Sequence, residues 1–214
     1  MLNEYLQFYR LDFSSAYSAA VHRCGTIDSG PYRLLTHCWI QPEARANLLL
    51  VHGYFDHSGI YDKLVDYGLS RGCNVLIFDL PGHGLSTGAR ASIDDFAEYG
   101  RAVNDVITAA GMPALPFFVM GQSTGCAALM ELARVPAWPF DKLALLAPLV
   151  RPAGWRGVRL GHSLLHRFTD GLERKFNRNS SDQGFLDFVR KDPLQSHRVS
   201  LLWIGALRRW LKSL

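Results

Sequence analysis

The chain predicts an α/β fold built on a mainly parallel sheet. Three observations carry that prediction. Short apolar runs recur without alternating with polar residues, as in strands buried on both faces. Helix-like segments separate the runs. The run at 117–120 ends in Gly121-Gln122-Ser123-Thr124-Gly125, which opens a stretch of small residues.

The runs are 34–40, 46–51, 74–79, 117–120 and 142–150. Val75-Leu76-Ile77-Phe78 and Phe117-Phe118-Val119-Met120 are continuously apolar. The last run, KLALLAPLV, has the same character and reads as a strand covered on both faces. Helices are expected near 59–71, 92–110 and 124–134. In the second, Ile93, Phe96, Val103, Val106 and Ile107 form one apolar stripe. Strand and helix in alternation give helices on both faces of the sheet.

The texture changes after Val150. Arg151-Pro152-Ala153-Gly154 is a breaker, and helical segments follow near 155–168, 183–190 and 201–211. Charge changes at the same point. Residues 1–150 hold 10 Lys/Arg against 14 Asp/Glu, and residues 151–214 hold 13 against 5. We therefore expect a core over 1–150 and a partial helical cap over 151–214. A basic face of this kind is either solvated or suited to an anionic membrane surface; no nucleic-acid partner is expected.

No run of about 18 apolar residues is present to span a bilayer. The start, MLNEYLQFYRLDF, lacks a basic region followed by an apolar one, so no signal peptide is expected. Cys24, Cys38, Cys73 and Cys126 form no C-x-x-C pair and have no histidine cluster beside them. Packed, reduced thiols in a cytoplasmic protein are expected, with no metal.

A lone GxSxG is a weak signal, and context gives it force. Here a buried-type strand precedes Ser123 and a helix containing Gly125, Ala127 and Ala128 follows. That strand-turn-helix arrangement is a nucleophile elbow, with the serine held in strained geometry at a helix N-terminus. Ser123 is the expected nucleophile. An oxyanion needs two donors: the Thr124 N–H, and one from the loop after Leu48-Leu49-Leu50-Val51-His52-Gly53, where the Tyr54 N–H is the candidate.

These residues resemble the α/β-hydrolase fold. Within it they resemble the monoacylglycerol lipase and bacterial lysophospholipase group, a serine-aminopeptidase-like hydrolase domain. That group shows an HGxxEHSxRY segment, here His52-Gly53-Tyr54-Phe55-Asp56-His57-Ser58-Gly59-Ile60-Tyr61. It shows a DxxGHGxSxG segment, here Asp79-Leu80-Pro81-Gly82-His83-Gly84-Leu85-Ser86-Thr87-Gly88. Asp56 and Ile60 depart from the commonest Glu and Arg. The resemblance covers about residues 20–150 and extends more loosely through 151–214. It implies Ser123 as nucleophile, donors at Tyr54 and Thr124, fatty-acid esters as substrates, and no metal or organic cofactor. His52, His57 and His83 correspond to structural loop positions and are not assigned as the base.

In this fold the order is Ser, then acid, then His. After Ser123 only one clear strand follows, so the acid and the His are expected to lie on strands absent from this chain. Asp192 and His197 have the right order, yet KDPLQSHRVS has no strand leading into either. They are expected to be solvated cap residues, and His162 and His166 surface or lipid-facing ones. The run 142–150 would then be an exposed apolar edge. The leading expectation is a lipid-ester hydrolase working through an acyl-enzyme on Ser123, inactive if the acid and His are lacking. An aminopeptidase, a small-ester esterase and a non-catalytic binding protein remain alternatives. The apolar and basic residues of the cap either meet lipid, peripherally at an inner membrane face, or pack the cap onto the core.

Overall fold

A computed structural model describes residues 2–151, 154–174 and 180–214. Pro152 and Ala153 of the expected breaker lie outside those residues. A short helix, α1 (Leu2–Phe8), precedes a hairpin of β1 (Val21–Ser29) and β2 (Tyr32–Ile40). Gly30 takes φ 54 in the turn between them, a conformation glycine adopts without a Cβ penalty. β3 (Ala46–Val51) leads through a 3-10 turn (Ser58–Tyr61) and α2 (Asp62–Ser70) to β4 (Cys73–Phe78). Then come α3 (Ala97–Ala109), β5 (Phe117–Gln122), α4 (Thr124–Leu132) and β6 (Lys142–Leu146).

The sheet order is β1-β2-β4-β3-β5-β6. β3 pairs in parallel with both β4 and β5, and β5 pairs in parallel with β6; the β2 pairings are antiparallel. Side chains alternate between two covered faces. Leu49, Val51, Leu76 and Phe78 meet Phe96, Tyr99, Val103 and Val106 of the α3 region. Leu48, Leu50, Val75 and Ile77 meet Val65 and Leu69 of α2, with Tyr9 and Leu11 after α1. The continuous apolar runs follow from this two-sided burial.

Beyond β6 lie α5 (Trp155–Leu165), β7 (Gly171–Glu173), α6 (Gln183–Lys191), β8 (Arg198–Ser200) and α7 (Leu201–Ser213). α6 is capped by Asp182, whose Oδ1 accepts from the Phe185 N–H at 3.0 Å, and α7 by Ser200, whose Oγ accepts from Trp203 at 3.2 Å. α7 lies on the α3 face of the sheet: Trp203, Ile204, Leu207 and Trp210 join the cluster that holds Phe96. Trp210 Nε1 donates to Glu131 Oε1 of α4 at 2.6 Å. For these residues the packing reading of the cap holds. α5 differs, since none of its residues is buried and Leu160 and Leu164 are largely exposed.

Three expectations need correction. The run 142–150 is not a strand covered on both faces but the exposed apolar edge that was the other expectation for it: β6 ends at Leu146, lies at the sheet edge, and leaves Leu143, Leu145 and Leu146 exposed. The sheet also begins one strand earlier than expected. β1 reads VHRCGTIDS, half-exposed at the opposite edge, so it carries no apolar run to betray it. β7 and β8 pair antiparallel over three residues each, too short for any pattern to register.

Close approaches without side chains should govern stability near the elbow. A Cβ on Gly125 would lie 2.1 Å from the Val51 carbonyl oxygen, a backbone atom with nowhere to go. Gly157 of α5 has nothing within 4 Å of the same position. Urea denaturation should show Gly125→Ala destabilised by about 3 kcal/mol, the upper range of overpacking. Gly157→Ala should instead be stabilised by roughly 0.5–1 kcal/mol through helix propensity.

Candidate active site

Ser123 occupies the turn between β5 and α4 with φ 49 and ψ −109, a backbone region that non-glycine residues rarely adopt. The surroundings hold it there. Its N–H donates to Leu146 O at 3.0 Å, and its carbonyl accepts from Cys126 at 3.0 Å and Leu149 at 3.2 Å. Gly121 and Gly125 let α4 close onto the strands: a Cβ on Gly121 would meet Leu129 at 2.7 Å. Gly53 in the neighbouring loop makes room for the Asp56 carboxylate, since its Cβ would lie 2.9 Å from Asp56 Oδ2; Ser123 Cβ would be at 3.5 Å, an ordinary contact.

A cavity of about 890 Å³ opens above this turn. Ser123, Thr124 and Tyr54 all line it, so the three residues singled out in the sequence do meet at one place. Thr124 is the first residue of α4, where a helix leaves its N–H without an internal acceptor. Among the described residues neither the Tyr54 N–H nor the Ser123 hydroxyl has a hydrogen-bond partner. Apolar side chains form much of the remaining wall, including Leu149, Val158, Leu186, Val189, Leu201 and Ile204.

The two loop motifs brace the floor. The Asp79 carboxylate is buried and accepts from Ser58 N at 2.6 Å and Leu85 N at 2.8 Å, tying the loops together. Tyr61 donates to Gln122 Oε1, beside Ser123, and accepts from Gly53 N at 3.2 Å. Tyr54 is gripped at both ends: its ring stacks on Trp203 at 3.8 Å, and its hydroxyl donates to Ala91 O at 2.8 Å and accepts from Ser200 N at 3.3 Å.

None of the loop histidines is aimed at Ser123. His52 donates from Nδ1 to Gly53 O and accepts at Nε2 from Leu80 N, which fixes a neutral tautomer; burial lowers its pKa. Burial likewise lowers His83 to about 4. His57 faces away, toward Asp192 at 2.7 Å. Among the described residues only His162 lines the cavity as a histidine. Its Nδ1 accepts from Arg208 at 2.6 Å, and desolvation followed by Arg208 lowers its pKa. His162 is thus held between α5 and α7, partly buried, rather than set at the surface; His166 stacks on it at 4.9 Å and is exposed.

Asp192 corrects the sequence reading outright. It is not solvated but 1% exposed, and it accepts hydrogen bonds from His57 and from Tyr9 at 2.6 Å. Its partners lie 135 and 183 positions away, and no local pattern announces them. His197, by contrast, is exposed.

The profile of the family described as serine aminopeptidase, S33, matches residues 42–214. The chain belongs to this family. Its fold is the α/β-hydrolase fold of the monoglyceride lipase type. A monoglyceride lipase homolog of Monkeypox virus is 36% identical over 108 residues, which are 50% of this chain and 39% of that protein. A monoacylglycerol lipase of Mycolicibacterium smegmatis is 30% identical over 128 residues, 56% of this chain and 44% of that one. The chain thus spans less than half the length of the curated relatives it matches here. Among solved structures, a monoacylglycerol lipase of Paleococcus ferrophilus superposes with TM-score 0.66 at 25% identity, covering 84% of this chain and 70% of its own.

One family position has a measurable electrostatic consequence. Asp56, at the cavity wall, is raised from the ordinary 3.8 to about 6 by desolvation, against the opposing pull of His57 and Arg174. The folded chain therefore holds this proton more tightly than the unfolded one. Stability falls as pH rises from about 4 to 6, and the cost is fully present above that window. Asp56→Asn, neutral throughout, should raise the urea midpoint at pH 8, and the gain should shrink at pH 4.5.

Proposed function

We propose that the chain carries the nucleophile half of a carboxylic-ester hydrolase acting on lipid esters, of the monoacylglycerol or lysophospholipid kind. The observation that supports this best is Ser123 at φ 49 at the head of α4, in the wall of an 890 Å³ cavity with apolar sides. Ser123 Oγ attacks the acyl carbonyl. The developing oxyanion is held by the N–H groups of Tyr54 and Thr124, and α4 adds the positive end of its dipole. The alcohol leaves, and water releases the fatty acid from the acyl-enzyme. The acyl chain lies along Val158, Leu186 and Ile204. Residues 1–150 serve as the catalytic core and 151–214 as the cap that shapes the cavity.

The proton on Ser123 needs an acceptor, and no described histidine is oriented to take it. Turnover therefore depends on a base from outside the described residues. Without one, binding and oxyanion stabilisation alone leave weak catalysis. That orientation is also the observation favouring a second reading, in which the cavity binds a lipid without cleaving it.

No described helix is long and apolar enough to cross a membrane. α5 offers a different contact: Leu160, Leu164 and Phe168 stand exposed beside Arg156, Arg159 and Arg167. We place this face against an anionic cytoplasmic leaflet, which brings the cavity to its substrate.

A fluorophosphonate probe should label the wild-type protein at Ser123 and leave Ser123→Ala unlabelled. Absence of label on a folded full-length form, in which the base is supplied, refutes an activated serine. Vesicles of phosphatidylserine should sediment the protein and vesicles of phosphatidylcholine should not, with binding lost at high salt. Leu160→Asp should weaken that binding. Salt-independent or equal binding to both vesicles counts against the basic face.

A further inference from the structure

The loop between β3 and the 3-10 turn, residues 53–57, carries the proposed oxyanion donor Tyr54. The loop is strained: Phe55 takes φ 72, which a bulky residue keeps only when its neighbours impose it. The neighbours that do so come from far along the chain. Arg174, just after β7, holds its guanidinium 4.0 Å over the Phe55 ring. Two residues on, His57 meets Asp192 at the end of α6.

The His57–Asp192 contact is directional. His57 Nδ1 accepts from the Gly59 N–H at 3.1 Å, so Nε2 carries the proton and donates it to Asp192 Oδ2 at 2.7 Å. Asp192 Oδ1 accepts from Tyr9 at 2.6 Å and from Leu194 N at 2.9 Å. The two grips are joined. Gln195 donates to Asp192 Oδ2 at 3.4 Å, and its Oε1 accepts from Arg174 at 2.8 Å. Arg174 N in turn donates to His197 O at 2.8 Å. A buried carboxylate is a poor way to gain stability, because apolar packing of equal volume does as well. What it supplies here is a fixed bearing for one imidazole.

We propose that Asp192 and Arg174 are positioning residues: together they clasp the 53–57 loop so that the Tyr54 N–H faces the cavity. The oxyanion site is thereby mechanically coupled to residues 171–174 and 182–200, and a shift of either changes the donor's aim. The clasp itself is independent of chemistry; only its effect on reaction rests on the Ser123 reading above.

Asp192→Asn keeps the shape, but the amide nitrogen that replaces one carboxylate oxygen donates and cannot accept, so the donors on that side, either Tyr9 and Leu194 N or His57 and Gln195, lose their acceptor. Arg174→Met keeps the stem and removes the stacked cation. Hydrogen exchange on the full chain should show the loop's bonded amides, Asp56 (to Gly53 O) and Gly59 (to His57 Nδ1), opening about tenfold or more faster in both variants, with β3, β4 and α3 unchanged. The His57 Nε2 proton resonance should weaken or shift in Asp192→Asn and persist in Arg174→Met. Fluorophosphonate labelling of Ser123 should slow in step with loop opening. Unchanged exchange at Asp56 and Gly59 in both variants overturns the clasp, as does faster exchange spread evenly over core and loop. A loosened loop with labelling at the wild-type rate overturns the coupling to the oxyanion site. Wild type that takes no label overturns the nucleophile reading instead, and the exchange data still decide the clasp.

Discussion

Everything around the cavity depends on how closely the first turn of α4 approaches the end of β3. Gly125 lies against the Val51 carbonyl at a separation that excludes even a methyl group, and Gly53 packs in ordinary contact with Ser123. That contact fixes the elbow, which forces Ser123 into its positive φ and lifts it out of the sheet. It also fixes the relation of two chain segments seventy positions apart, so that Tyr54 and Thr124 line one wall. Backbone shape, rather than any side-chain bond, sets this part of the site.

The core was legible because its physics is local. Two-sided burial writes continuous apolar runs, and β3, β4 and β5 fall where those runs do. The elbow was legible because tight turns demand glycine at fixed offsets. β1 was not, since an edge hairpin strand needs neither an apolar run nor alternation. β6 was misjudged for the converse reason: its sequence is apolar, yet nothing among the described residues covers it. An apolar run reports what a strand is suited to, not what lies beside it.

The site splits the same way. Ser123, Tyr54 and Thr124 could be named from motifs, and the cavity gathers all three. Asp192 was misread as solvated because its environment is made by Tyr9 and His57, contributed from the other end of the chain. Arg174 was equally silent. Tertiary partners, unlike turns, leave no offset to count.

α5 has a consequence of another kind. It has no buried residue, yet Gly157, Val158, Gly161 and His162 on one side of it wall the cavity. A side chain at Gly157 or Gly161 meets only open space, so substitution at those two positions disturbs neither the sheet nor the elbow. The cavity therefore has a conservative floor and an adaptable roof. Mutational drift can reshape the roof while the turn below stays fixed, so cavity shape is the cheaper trait for this architecture to change.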